Sequence, residues 1–181
     1  GATLAHADPS LLVFLDETGA KTNMTRLYAR ARKGERAHDD VPHGHWSTTT
    51  LVAALTVQGP VAPWVLDGPM DRACFEVYVE RLLIPALVPG SIVVMDNLSA
   101  HKSPAMDALF AAAGIELRYL PPYSPDFNPI ELMWSKVKAA LRKAKARTQH
   151  ALSDAIAQAL QTVTPEQSQN FFWHAFVCMQ S

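Results

Sequence analysis

The feature that most constrains the fold is the spacing of five apolar, β-prone runs. LLVFLD (11–16) is a short apolar stretch ended by the polar ETG and reads as a buried strand. STTTLVAALTV (47–57) is rich in β-branched residues, and Gln58-Gly59-Pro60 turns it into VAPWVLD (61–67). These three runs predict an antiparallel meander. SIVVMD (91–96) and IELRYL (115–120) are instead separated from their predecessors by segments of helical spacing. Strands joined through helices favour a parallel arrangement.

Between them, residues 71–83 place Ala73, Phe75, Val77, Tyr78, Leu82 and Leu83 at helical spacing and stop near Pro85. A second helix is predicted from Pro104 to Ala113, ending at Gly114. Three more fill 129–146, 148–161 and 165–174, starting near Asn128, Thr148 and Thr164-Pro165. Residues 21–46 are polar and basic and read as mostly loop. The expected architecture is α/β: a five-stranded mixed sheet, three antiparallel strands then two parallel, flanked by helices. No repeat, low-complexity tract or linker divides the chain.

With 181 residues the chain is long enough for one domain with a core, and 49% hydrophobic against 18% charged residues argues against disorder. No apolar run reaches the ~18 residues of a membrane span. The stretch GATLAHADPS lacks a basic region followed by an apolar one, so no secretory signal is expected. Cys74 and Cys178 lie far apart in apolar segments and read as buried, reduced thiols in a cytosolic setting.

Three acids stand out by context. Asp16 and Asp96 each close an apolar run, and Glu131 sits on the first turn of a predicted helix. If the first and fourth strands are neighbours, the two aspartates end side by side at the carboxyl edge of the sheet, where open α/β sheets place their sites. Clustered carboxylates in a half-buried place repel one another by several kcal/mol unless a cation joins them. Oxygen-ligated divalent ions such as Mg²⁺ meet that need. Two ions ~3.5–4 Å apart can serve an in-line displacement at phosphorus. Glu17, next to Asp16, points to the opposite strand face. Asp126 reads as organising the SPDFNP turn, with Asn128 as helix cap.

FLDETG, then VVMDNLSAH, then YLPPYSPDFNPIE followed by a Trp and a basic helix closely resemble the catalytic domain of DDE transposases. The likeness is to the bacterial insertion-sequence branch of the mariner superfamily and runs from about residue 11 to 175. Residues 97–130, thirty-four in all, separate Asp96 from Glu131, a spacing characteristic of that branch. The resemblance implies a ribonuclease-H-like fold forming a single DDE catalytic domain over 1–181. It also implies Asp16, Asp96 and Glu131 as the catalytic, metal-binding triad, and Mg²⁺ or Mn²⁺, two ions, as cofactor. The implied activity is metal-dependent cleavage of DNA ends and strand transfer. The implied partners are transposon-end and target DNA, with a homodimer left open, and the implied setting is the nucleoid of a bacterial cytoplasm. Transposases of this kind carry an N-terminal helix-turn-helix region, and none precedes Leu11. The expectation is a fragment or a decayed copy that binds DNA weakly and without sequence preference.

The net charge of −1 alone does not suggest nucleic acid, yet the cations are segregated. Lys136, Lys138, Arg142, Lys143, Lys145 and Arg147 lie in one twelve-residue stretch with no acid. Advancing about 100° per residue from Glu131 puts Ser135, Lys138, Arg142 and Lys145 on its face. Ile130, Met133, Trp134, Val137, Leu141 and Ala144 form the core stripe. Lys138, Arg142 and Lys145 are therefore candidate phosphate contacts, whereas for Lys136, Lys143 and Arg147 a solvent-facing place is an equal alternative. The resemblance puts Asn97 and His101 near the acids, with His101 either touching phosphate or capping the next helix. Arg26, Arg30, Arg32, Lys33 and Arg36 form a second basic patch; of these Arg32 and Lys33 join the DNA candidates. His43 and His45 in PHGHW have no further ligand nearby for zinc. Tyr119, Tyr123, Phe127 and Trp134 read as packing around the Pro-rich turn. Two alternatives are a structure-specific nuclease of the same fold and a catalytically silent DNA-binding remnant.

Overall fold

A computed structural model describes Leu4 and residues 7–24, 32–36, 48–97, 103–122 and 124–180. Five strands, β1 (Leu12–Lys21), β2 (Thr48–Thr56), β3 (Gly59–Asp67), β4 (Ile92–Met95) and β5 (Glu116–Tyr119), form one sheet in the order β3-β2-β1-β4-β5. β1 pairs antiparallel with β2 and parallel with β4, and β4 pairs parallel with β5. The expected mixed sheet is observed. One boundary differs: β1 does not end at Asp16 but continues to Lys21, because Glu17 to Lys21 pair with Val52 to Thr48. Residues that look too polar for a buried strand are held there by a ladder partner that arrives from 27 to 35 residues downstream.

The helices are α1 (Arg72–Tyr78), α2 (Pro104–Ala112), α3 (Pro129–Ala144), α4 (Gln149–Gln161) and α5 (Pro165–Gln180). The expected helix over 71–83 is α-helical only to Tyr78. It passes through a π turn (Val79–Leu83) into a 3-10 turn (Ile84–Ala86) containing Pro85, which has no N–H to continue an α ladder. α4 is capped by Thr148, whose hydroxyl accepts from the Ala151 N–H at 3.1 Å. α5 opens with a reciprocal pair, Thr164 N–H to Gln167 Oε1 and Gln167 N–H to Thr164 Oγ1, both 3.3 Å. It also runs past the expected end at 174.

Strand alternation divides the core into two layers. Leu12, Phe14, Ile92 and Val94 face α3, α4 and α5, packing with Ile130, Met133, Trp134, Val137, Leu141, Leu152, Ile156 and Phe172. Val13, Leu15, Val93 and Met95 face α1 and α2, against Phe75, Tyr78, Met106 and Phe110. Phe172 of α5 meets Phe14 edge to face, centroids 5.2 Å apart. A bulge in β3 leaves Ala62 at φ 49°, and the buried Tyr78 hydroxyl donates to its carbonyl at 2.9 Å. Cys74 and Cys178 are not joined in a disulfide, and both are half-buried rather than fully buried as expected. Among the described residues no helix is long and apolar enough to cross a membrane.

Candidate active site

The parallel register between β1 and β4 sets the first two acids. Leu12, Val13 and Phe14 stand opposite Ile92, Val93 and Val94. Carried two places further, the same register puts Asp16 level with Asp96, the residue that follows β4. Parity then fixes their direction: even-numbered residues on both strands face α3, so both carboxylates rise from that face. Glu17, one place on, belongs to the α1–α2 face, as alternation predicts. Asp16 and Asp96 are half-buried. Asp16 is not a strand-end residue but lies mid-strand, paired with Ala53 of β2, which stiffens it on that side.

α3 brings the third acid. It starts at Pro129, whose missing N–H costs nothing at a first helical position, and Glu131 falls on its first turn where the helix dipole favours a carboxylate. Ile130, Met133, Trp134, Val137 and Leu141 bury the helix against the sheet, whereas Ala144, expected in that stripe, is exposed. Asn128 occupies the N-cap position, yet its side chain makes no capping hydrogen bond, contrary to expectation. It is 6% exposed and its Oδ1 has no hydrogen-bond partner among the described residues. Asp126, exposed on the 3-10 turn Pro125–Phe127, lines a cleft of ≈ 210 Å³ with Asn128, Glu131 and His174 of α5.

The electrostatics of Asp16 report how close the acids are. Its carboxyl is pushed up from 3.8 to about 7, chiefly by burial, with the Glu131 and Asp96 carboxylates adding to the rise. The Glu17 backbone N–H and the Trp134 indole oppose it by hydrogen bonding to the charged form. Trp134 Nε1–H donates to Asp16 Oδ2 at 3.0 Å. Trp134 had been expected only to pack. The signal for its polar role is general: a buried indole N–H needs an acceptor. His174, from the last helix, carries no sequence cue tying it to Glu131.

The donor set is three carboxylates, hard oxygen ligands of the kind divalent Mg²⁺ and Mn²⁺ take, and their mutual repulsion is what a cation relieves. Asp16 and Asp96 are fixed by the sheet, while Glu131 is exposed at a helix end. Among the described residues no three His, Cys, Asp or Glu side chains stand close enough to enclose one ion as they are.

The basic residues separate into two groups. Lys138 and Arg142 are half-buried on the face of Glu131 and, among the described residues, have no acidic or acceptor partner. Lys145 takes the left-handed C-cap of α3 at φ 51°. Two of the residues left open between DNA and solvent make structural contacts. Lys136 donates to the Thr162 carbonyl and Gln167 Oε1, tying α3 to the α4–α5 junction. Arg147 donates to the carbonyls of Thr22 at 2.9 Å and Met24 at 3.2 Å, holding the segment after β1. Lys143 is exposed. Asn97 is exposed beside Asp96, in a cleft of ≈ 410 Å³ with Arg118, Tyr119 and Pro121. Arg32 and Lys33 are exposed in a turn. His101, the PHGHW histidines His43 and His45, Arg26, Arg30 and Tyr123 lie outside the described residues.

A family profile described as "DDE superfamily endonuclease" matches residues 11–153. No curated protein matches the sequence. Among solved structures, a pre-cleavage Mos1 transpososome is similar, with TM-score 0.79 at 15% identity over 95% of this chain and 54% of that one. The Mos1 mariner paired-end complex with Mn has TM-score 0.77 at 14% identity, covering 99% and 56%. The Mos1 transposase catalytic domain with Raltegravir and Mg has TM-score 0.72 at 13% identity, covering 99% and 85%. At such identity the likeness speaks for the fold, which is ribonuclease-H-like as expected. The chain spans about half the length of the chains in the two larger assemblies.

Proposed function

Because this chain belongs to the DDE superfamily endonucleases, we propose that it is a transposase catalytic domain that cuts DNA at an element's ends and joins them to target DNA. Within the family we assign it to the bacterial insertion-sequence branch of the mariner group, on the FLDETG, MDNLSAH and SPDFNPIE segments and the thirty-four residues between Asp96 and Glu131. The observation that carries the reading is the β1–β4 register, which sets Asp16 level with Asp96 on the face that α3 covers, with Glu131 on the first turn of that helix and near enough to help raise the Asp16 carboxyl. A structural acid in such a place is normally paired with a cation or replaced. Here Asp16, Asp96 and Glu131 would hold Mg²⁺ or Mn²⁺, two ions. When bound, such a pair supplies charge neutralisation at the scissile phosphate and activation of the attacking oxygen.

The chain's own residues do the rest. Asp16 on β1 and Asp96 just after β4 set the position of the scissile phosphate. Glu131 closes the site from α3. Lys138 and Arg142, ~10 and ~16 Å along the helix at 1.5 Å per residue, follow the phosphate backbone away from the cut, with Lys145 beyond them. Asn97, His101, Arg32 and Lys33 are further DNA contacts in this reading. In the first step a water oxygen bonds to phosphorus and the bond to the bridging oxygen breaks, leaving a 3′-hydroxyl. In the second that hydroxyl attacks a target phosphodiester, one P–O bond replacing another. A homodimer would bring two element ends together.

The test is nicking of supercoiled plasmid with Mg²⁺ or Mn²⁺. Asp96→Ala is expected to abolish nicking while circular dichroism and melting stay those of a folded protein. Full nicking by that variant defeats the reading.

A further inference from the structure

The Trp134 indole spans 118 positions to reach Asp16, and the acceptor it finds is a carboxylate rather than a carbonyl. We infer that Trp134 is a positioning residue for the Asp16 carboxylate: its Nε1–H holds Oδ2 and thereby sets the aim of the group toward a divalent cation. The inference rests on the proposed metal site.

Three observations converge. Trp134 is 1% exposed, so its ring has one packed orientation and its N–H one direction. A carboxylate turns on a broad two-fold χ2, and at Asp16 the indole joins the Glu17 backbone N–H in fixing which oxygen faces where. Trp134 lies one helical turn after Glu131, and residues three apart on a helix are surface neighbours. One turn of α3 therefore carries both an acid of the site and the donor that orients a second acid on β1. The hydrogen bond couples the seating of α3 to the aim of Asp16, so the spacing of Glu131 and Asp16 is set by the same contact. A donor placed behind a ligating carboxylate raises its precision without entering the ligand set.

Trp134→Phe removes the N–H and keeps an aromatic ring. By isothermal titration with Mn²⁺ the variant is expected to bind about 10–100-fold more weakly than the unaltered chain. Unchanged affinity in the variant overturns the inference. Should Trp134→Phe fail to fold, replacement of Trp134 by 3-benzothienylalanine, the same shape with sulfur for N–H, gives the same comparison. A second readout needs no metal. The indole ¹H–¹⁵N resonance lost in Trp134→Phe is expected to move upfield in Asp16→Asn, whose weaker acceptor replaces the carboxylate; an unmoved resonance also overturns the inference. If the unaltered chain binds no Mn²⁺ at millimolar concentration, the proposed function fails and takes this inference with it. Wild-type binding that Trp134→Phe preserves sinks the positioning role alone.

Discussion

Asp16 faces Glu131 across the seam between β1 and α3, and the two carboxylates repel. Burial first, then that facing charge, lifts the Asp16 carboxyl from 3.8 to about 7. The sign of the pH effect follows. Between about pH 4 and 7 the folded protein keeps a proton that the unfolded chain releases, so without metal its stability falls as pH rises through that window. Asp16→Asn removes the dependence. Urea unfolding in EDTA should find the variant more stable than the parent by about 1–3 kcal/mol at pH 8 and nearly equal to it at pH 4. Identical pH slopes for the two proteins would show that Asp16 is not held in the protonated range.

The same carboxyl must lose its proton to bind a cation. Mn²⁺ affinity is therefore expected to climb up to about tenfold per pH unit below about 7 and to level off above it, with protons released on binding. Calorimetry in buffers of different ionisation enthalpy counts those protons. Release that stays near zero at pH 6 contradicts the expectation.

Cations on and after α3 should divide by role. Lys138→Ala with Arg142→Ala is expected to leave stability within about 0.5 kcal/mol and to lower the salt slope of DNA binding by about 2, one for each lost phosphate contact. Arg147→Met should do the reverse. It strips a charged donor from the Thr22 and Met24 carbonyls, costing about 1–3 kcal/mol, and leaves the salt slope alone. Filter binding from 50 to 200 mM salt, set beside melting curves, separates the two cases.

α5 lies beyond the family match, yet Phe172 fills the core over β1 against Phe14. Phe172→Ala is expected to cost about 3–5 kcal/mol. A loss under about 1 kcal/mol in urea unfolding would mean that α5 is dispensable to the fold.

Much of this protein was legible in the chain. Apolar runs at period two and helices at period 3.6 are local patterns, so five strands, their mixed order and the core stripe of α3 could be read directly. Asp16, Asp96 and Glu131 stood out because each closes an apolar run or opens a predicted helix. Strand parity, also local, sends Asp16 and Asp96 to one face once their strands are neighbours. What the sequence could not specify depends on partners far away along it. β1 runs through Glu17-Thr18-Gly19 only because β2 returns to pair with it. Lys136 and Arg147 are structural only because acceptors of distant segments lie within reach. Trp134 finds Asp16 because helix and sheet pack at one particular depth. Periodicity tells which way a side chain points. Only the packed chain decides what it meets, because a hydrogen bond depends on distances of a few tenths of an ångström that no spacing along the sequence encodes.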